Sequence, residues 1–256
     1  MGHIRLGELP RSGYWKDVIN KLGVSNDPSA IASITAKAAH KGLDLISHDT
    51  GLANLIYLFM KSFWSSKSEH FPNSVKNIGI NIDKSSTILD FICELDSAMD
   101  KSLRKENHRS HLAEMARYSI IDSLNDMANN QTKSLFKTGI EETQALLKKY
   151  TNPKLFGNLG KNFFGKFLFR FLDYHVSREI ANHIDPGEGP YKSVSDINAF
   201  RKALQTHCNE TIYVIKDFTG CWPAAAEFES GLTAENVRNK FLPIAIKKIK
   251  SELAKR

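Results

Sequence analysis

The stretch FGNLGKNFFGKFLFRFLDYHVSREIANH, from Phe156 to His183, limits what this chain can fold into more than any other. At about 3.6 residues per turn, Phe156, Phe163, Phe164, Phe167, Phe171 and Tyr174 fall on one stripe, as on the inward face of an amphipathic helix. Phe169, Leu172, Val176 and Ile180 line the opposite side, leaving a narrow polar strip of Lys166, Arg170, Asp173 and Ser177. A helix apolar nearly all round belongs inside the protein, with other helices packed on it from several directions. A membrane-surface helix would instead carry a broad cationic face.

The rest of the chain agrees with an all-α fold. Apolar residues recur at three- and four-residue spacing almost throughout, and strict alternation is nearly absent. Helices are expected from Ser12 (Trp15, Val18, Ile19 and Leu22 on one face), after Asp27-Pro28 and after Asp49, where an Asp precedes the first turn. Others are expected from Ser85 or Ser86, through Leu112 to Met127, from Gly139 to Tyr150, and along one long run from Ile197 to Phe218 that Gly220 stops. Residues 66–84 read as a loop with room for a short strand. Thr233 is the N-cap of the last helix, Leu232 and Val237 form a staple, and Pro243 kinks it. The fold class is therefore a multi-helix globular bundle of about eight to ten helices around a central Phe-rich helix over 156–184. It forms one domain, with a possible subdomain junction near 150–154, where Asn152-Pro153 disfavours helix at the preceding residue.

At 256 residues the chain is long enough to bury a large core unaided. Its three cysteines, Cys93, Cys208 and Cys221, are widely spaced, which suits a reducing, cytoplasmic setting. Cys221 reads as a buried small hydrophobe. No secretory leader is expected in MGHIRLGELPRSGYW, and LANLIYLFM is far too short to span a membrane. Phosphate-loop, dinucleotide, serine-hydrolase and HExxH patterns are absent, so no cofactor is expected. The net charge is +7, with most of the excess beyond residue 150. Lys161, Lys166, Arg238, Lys240, Lys247, Lys248 and Lys250 are the candidates to meet nucleic-acid phosphates, although basic residues near a helix C-terminus also suit its dipole.

The Phe stripe runs on into His175, Arg178 and Asn182, with Glu179 and His183 close by. Polar groups in line with a buried stripe must be paired, because an unsatisfied one costs about 1 to 3 kcal/mol. They form either a structural ion-pair network or a site. His175, Glu179 and His183 at i, i+4 and i+8 would share a helix face as metal ligands, but a fourth ligand is lacking; His108, His111 and Glu114 are a sparser set. No metal is expected.

The segment holds two R-x4-H patterns, Arg170 to His175 and Arg178 to His183. In an all-α chain this resembles the motif of the HEPN ribonucleases, helical proteins that often act in toxin and phage-defence systems. The resemblance covers some six residues. It implies metal-independent RNA cleavage, usually by motifs paired across a dimer, with Arg178 stabilising charge on the phosphate and His183 moving a proton. His175 and Glu179 lie beside them. Arg170 is followed by Phe171, which departs from the family pattern, and Asp173 at i+3 offers it a plain ion pair. Three readings follow. The first is a helical binding or interaction protein, without a membrane role, that meets RNA or DNA through its basic second half. The others are such a ribonuclease, and a non-catalytic subunit of a larger complex.

Overall fold

The computed structural model describes residues 9–11, 13–105, 108–131, 139–185, 187 and 189–255. These residues form α-helices with short tight-turn segments and no strand; the nearest thing to a sheet is a single bridge between Ile184 and Tyr191. In chain order the helices are α1 (Tyr14–Val24), α2 (Pro28–Ala38), α3 (His40–Ile46), α4 (Thr50–Ser65), α5 (Asn73–Lys76), α6 (Ile88–Lys105), α7 (His111–Gln131), α8 (Ile140–Lys149), α9 (Pro153–Val176), α10 (Val194–Thr211), α11 (Lys216–Glu229), α12 (Ala234–Asn236) and α13 (Leu242–Leu253). Ile180–His183 and Ile212–Ile215 are 3-10 turns, and Val237–Phe241 is a π turn. No helix among the described residues is long and apolar enough to cross a membrane.

The Phe-rich segment is the central helix. α9 packs against α7, α10 and α11, and also touches α2. Phe156, Phe163, Phe164, Phe167, Phe171, Leu172 and Val176 are buried, while Tyr174 is half-buried. The Phe156 ring lies 5.5 Å from Phe59 and from Phe63 and 5.1 Å from Trp64, all three on α4, at centroid spacings suited to aromatic pairing. Farther along, Phe164 meets Phe241 of the π turn, which stacks on Phe218 of α11.

Local signals set most helix starts. Asp27 accepts from the Ser29 N–H, with Pro28 at the first helical position, and Asp49 accepts from Leu52 N–H at 2.7 Å. Asn152 caps α9 by accepting from Lys154 and Leu155, so TNPK opens the central helix. Phe156, one turn inside, is already packed on α4. Thr233 caps the last helix, and Leu232 and Val237 are both buried.

Several elements differ from the sequence reading. Ser12 lies outside the described residues. Residues 66–84 contain the short α5, followed by Ile80 and Ile82 buried on an irregular segment. α6 begins after Thr87, whose N–H donates to Asp90 while its hydroxyl accepts from the Asp90 N–H; Ser85 is taken up by Asp83. The long run after Ile197 breaks into a 3-10 turn at Ile212, where the β-branched residues of TIYVI resist helix and the Thr211 hydroxyl donates back to the His207 carbonyl at 2.9 Å. The chain then passes helically through Gly220 and Pro223 to Glu229, leaving Cys221 on an exposed face. The π turn precedes Pro243, widening the helix where that ring would otherwise strike the carbonyl of Asn239. α9 ends at Val176, eight residues before the expected 184: the Ser177 N–H still reaches Asp173, but Arg178 and Glu179 bond only three residues back.

Gly220 does not stop its helix because its work is tertiary. A Cβ there would drive into the Pro153 carbonyl, and one on Gly157 would come 2.7 Å from the Lys216 carbonyl. A Cβ on Gly160 would collide with the Thr219 methyl. These glycines let α9 and α11 approach backbone to backbone. Gly160→Ala is expected to cost about 1 to 3 kcal/mol by overpacking. Thr219→Ser, which removes the offending methyl, should recover most of that loss in the double variant; chemical denaturation of the four proteins measures the coupling.

Candidate functional site

The polar groups at the end of α9 sit on the turn that terminates it. His175 is the penultimate helical residue. Arg178 follows on the turn, Glu179 precedes the 3-10 segment, and His183 closes that segment. Because the helix has broken at Ser177, His175, Glu179 and His183 do not continue one helical face as their spacing suggested. Among the described residues no group of three His, Cys, Asp or Glu is placed to hold a metal ion.

Arg178 and Glu179 find different neighbours. Arg178 is half-buried, with its guanidinium 5.8 Å from the Tyr174 ring and its charge felt at His175. Burial, reinforced by that charge, pushes the His175 imidazole down to about 4, so it is neutral at ordinary pH. Glu179 stands beside His183. Glu179 is only 4% exposed, which is rare for a carboxylate. Its Oε1 accepts weakly from Asn182 at 3.4 Å and lies 3.6 Å from His183 Nε2. His175 Nδ1, Glu179 Oε2 and His183 Nε2 are all shielded from solvent and lack hydrogen-bond partners among the described residues. Three such atoms within nine residues are unusual, since buried polar groups are nearly always satisfied.

α1 lies over both histidines, a covering that the sequence reading did not find. Trp15 is 4.9 Å from the His175 ring, and a Cβ on Gly23 would come 3.2 Å from His183 Nδ1. Trp15 was legible only as part of an apolar face, and a lone Gly near a helix end signals a C-cap before it signals a contact. Behind His175, Phe171 and Tyr174 stand edge-on at 5.2 Å each. His111, from the sparser candidate set, stacks on Tyr174 at 6.0 Å. Arg170 belongs elsewhere: it pairs with Asp122 of α7, while Asp173 takes a bidentate pair from Arg201 of α10 at 2.8 and 2.6 Å. The i, i+3 pair gives way to partners on neighbouring helices, where Arg201 meets Asp173 through two N–H···O bonds.

The basic candidates divide in a similar way. Lys166 pairs with Asp126 at 2.9 Å and Lys250 with Asp44, which uses part of their charge internally. Lys240 reaches the Ser230 hydroxyl and Arg238 the Asn239 side chain, each at 3.3 Å. Lys247 and Lys248 are exposed on α13. Lys161 of α9 stands 5.2 Å from the Tyr213 ring, and Lys216 of α11 approaches the same ring at 5.5 Å. Tyr213 is 62% exposed on the 3-10 turn that packs against α13. Two cations converging on one solvent-facing aromatic went unseen in the sequence, where Tyr213 lay within an apparently continuous helix.

No protein-family model, curated protein or solved structure matches this chain.

The neutrality of His175 has a measurable consequence. An unfolded chain takes up a proton near pH 6.5, whereas the folded one refuses it until about 4. Stability should fall as pH drops through that window. His175→Phe, which keeps the ring contacts, should flatten the fall; urea midpoints on either side of the window test this.

Proposed function

We propose that the protein binds single-stranded nucleic acid on the face where Lys161 and Lys216 both approach Tyr213. The supporting observation is that solvent-facing ring with two ammonium groups drawn onto it. An exposed aromatic is a platform for an unpaired base, and flanking lysines meet the phosphates on either side. Lys247 and Lys248 are further exposed cations on α13, the helix that packs against the Tyr213 turn. In such a site, stacking favours unpaired strands and the charges set the salt dependence.

The test is fluorescence anisotropy with a labelled single strand at several salt concentrations. Tyr213→Ala should weaken binding roughly tenfold, in keeping with the loss of one stacked base. Replacing Lys161 or Lys216 with Gln should lower the salt slope by about 1 each. Absence of binding at low salt, or a Tyr213→Ala protein that binds as tightly as the parent, contradicts the reading.

The unsatisfied atoms beside Arg178 favour a second reading, a metal-independent ribonuclease that resembles the HEPN proteins. Here Arg178 would stabilise phosphate charge, His183 would transfer the proton with Glu179 steadying it, and neutral His175 would accept a hydrogen bond. Wild type should then degrade total RNA while His183→Ala and Arg178→Ala do not. Equal outcomes dismiss the idea.

A further inference from the structure

α2, α3 and α13 line a half-open pocket of about 300 Å³ that neither reading uses. Its apolar wall includes Ala36, Leu43 and Leu253, and Lys37, His40 and Lys250 also line it. That is the low end of the size range of small-molecule sites, and an apolar body with a few convergent polar groups is their usual lining. We propose that this cavity binds a small anionic amphiphile, a monocarboxylic acid with a short to medium aliphatic chain. Its tail would lie on Ala36, Leu43 and Leu253 and its carboxylate would meet Lys37.

The charge around the cavity selects an anion. Lys250 is matched by Asp44, whose carboxyl is held below its usual range chiefly by that lysine. Lys37 is different: its ammonium rests 4.7 Å from the Tyr14 ring, a contact that leaves its charge uncancelled. His40 Nδ1 lies 3.1 Å from the Lys37 carbonyl and donates to it, so Nε2 of the neutral ring is an acceptor and the carboxylate is left to Lys37. A neutral ligand would bury the same apolar surface but leave the Lys37 charge unanswered.

Isothermal titration calorimetry of the full chain with octanoate, 1-octanol and acetate tests the proposal, using Lys37→Gln and Ala254→Phe. Both changes are at exposed positions, and the second fills the cavity mouth. Octanoate should bind saturably at one site. Octanol and the Lys37→Gln protein should each show affinity lower by about fivefold, as expected for a partly exposed charge pair. Acetate, which lacks the tail, should show no saturable heat, and Ala254→Phe should abolish octanoate binding. The proposal is overturned by the absence of saturable octanoate binding, by equal binding of octanol and octanoate, or by an Ala254→Phe protein that binds octanoate as the parent does.

Discussion

The packing of this molecule rests on two helices that meet backbone to backbone. α9 carries bulky aromatic rings on most of its surface, yet along the line where it meets α11 it presents Gly157 and Gly160, with Gly220 and Thr219 opposite. Large side chains fill the space toward α4 and the π turn, while small ones let α11 lie directly on the helix. Protein interiors are packed as densely as organic crystals, so neither side has slack. α7 and α10 are tied to α9 by further pairs, Arg170 with Asp122 and Asp173 with Arg201. These arginine pairs add to an orientation that the glycine seam and the aromatic face already set.

That orientation determines what happens at the end of α9. The chain leaves the helix with polar residues pointing inward beneath α1, and the result is a carboxylate and two imidazoles with unsatisfied atoms. A fold selected for stability alone would place apolar residues there, since unsatisfied buried polar groups oppose folding. Their presence gives the ribonuclease reading its physical interest. The Tyr213 face is independent of this cluster. It arises on the 3-10 turn after α10, where Lys161 of α9 and Lys216 of α11 both reach Tyr213.

The all-α class, the burial of the Phe helix and the Asp27, Asp49 and Thr233 caps were legible in the sequence because each depends on periodicity or on a side chain reaching its own next turn. Asn152-Pro153 marks a possible junction in the sequence, and in the structure the same two residues are an N-cap and a first helical position. Gly220 shows the converse. Its local signal is a stop, but the benefit of bringing α11 against α9 overrides propensity. Arg178, Glu179 and the two histidines could be singled out as polar groups following a buried stripe. Their pairing could not, because it depends on where the helix breaks and on α1 lying across them. Tyr213 and its two lysines come from three separate elements, and no spacing in the sequence brings them together.

The central claim is that α9 is the core on which every other element depends. Native-state hydrogen exchange of its amides measures this most directly. If the claim is right, amides between Phe163 and Leu172 exchange only through global unfolding, with free energies equal to that from denaturant titration and the same denaturant slope. Exchange of those amides through a smaller local opening, with α4 or α7 still protected, would contradict it.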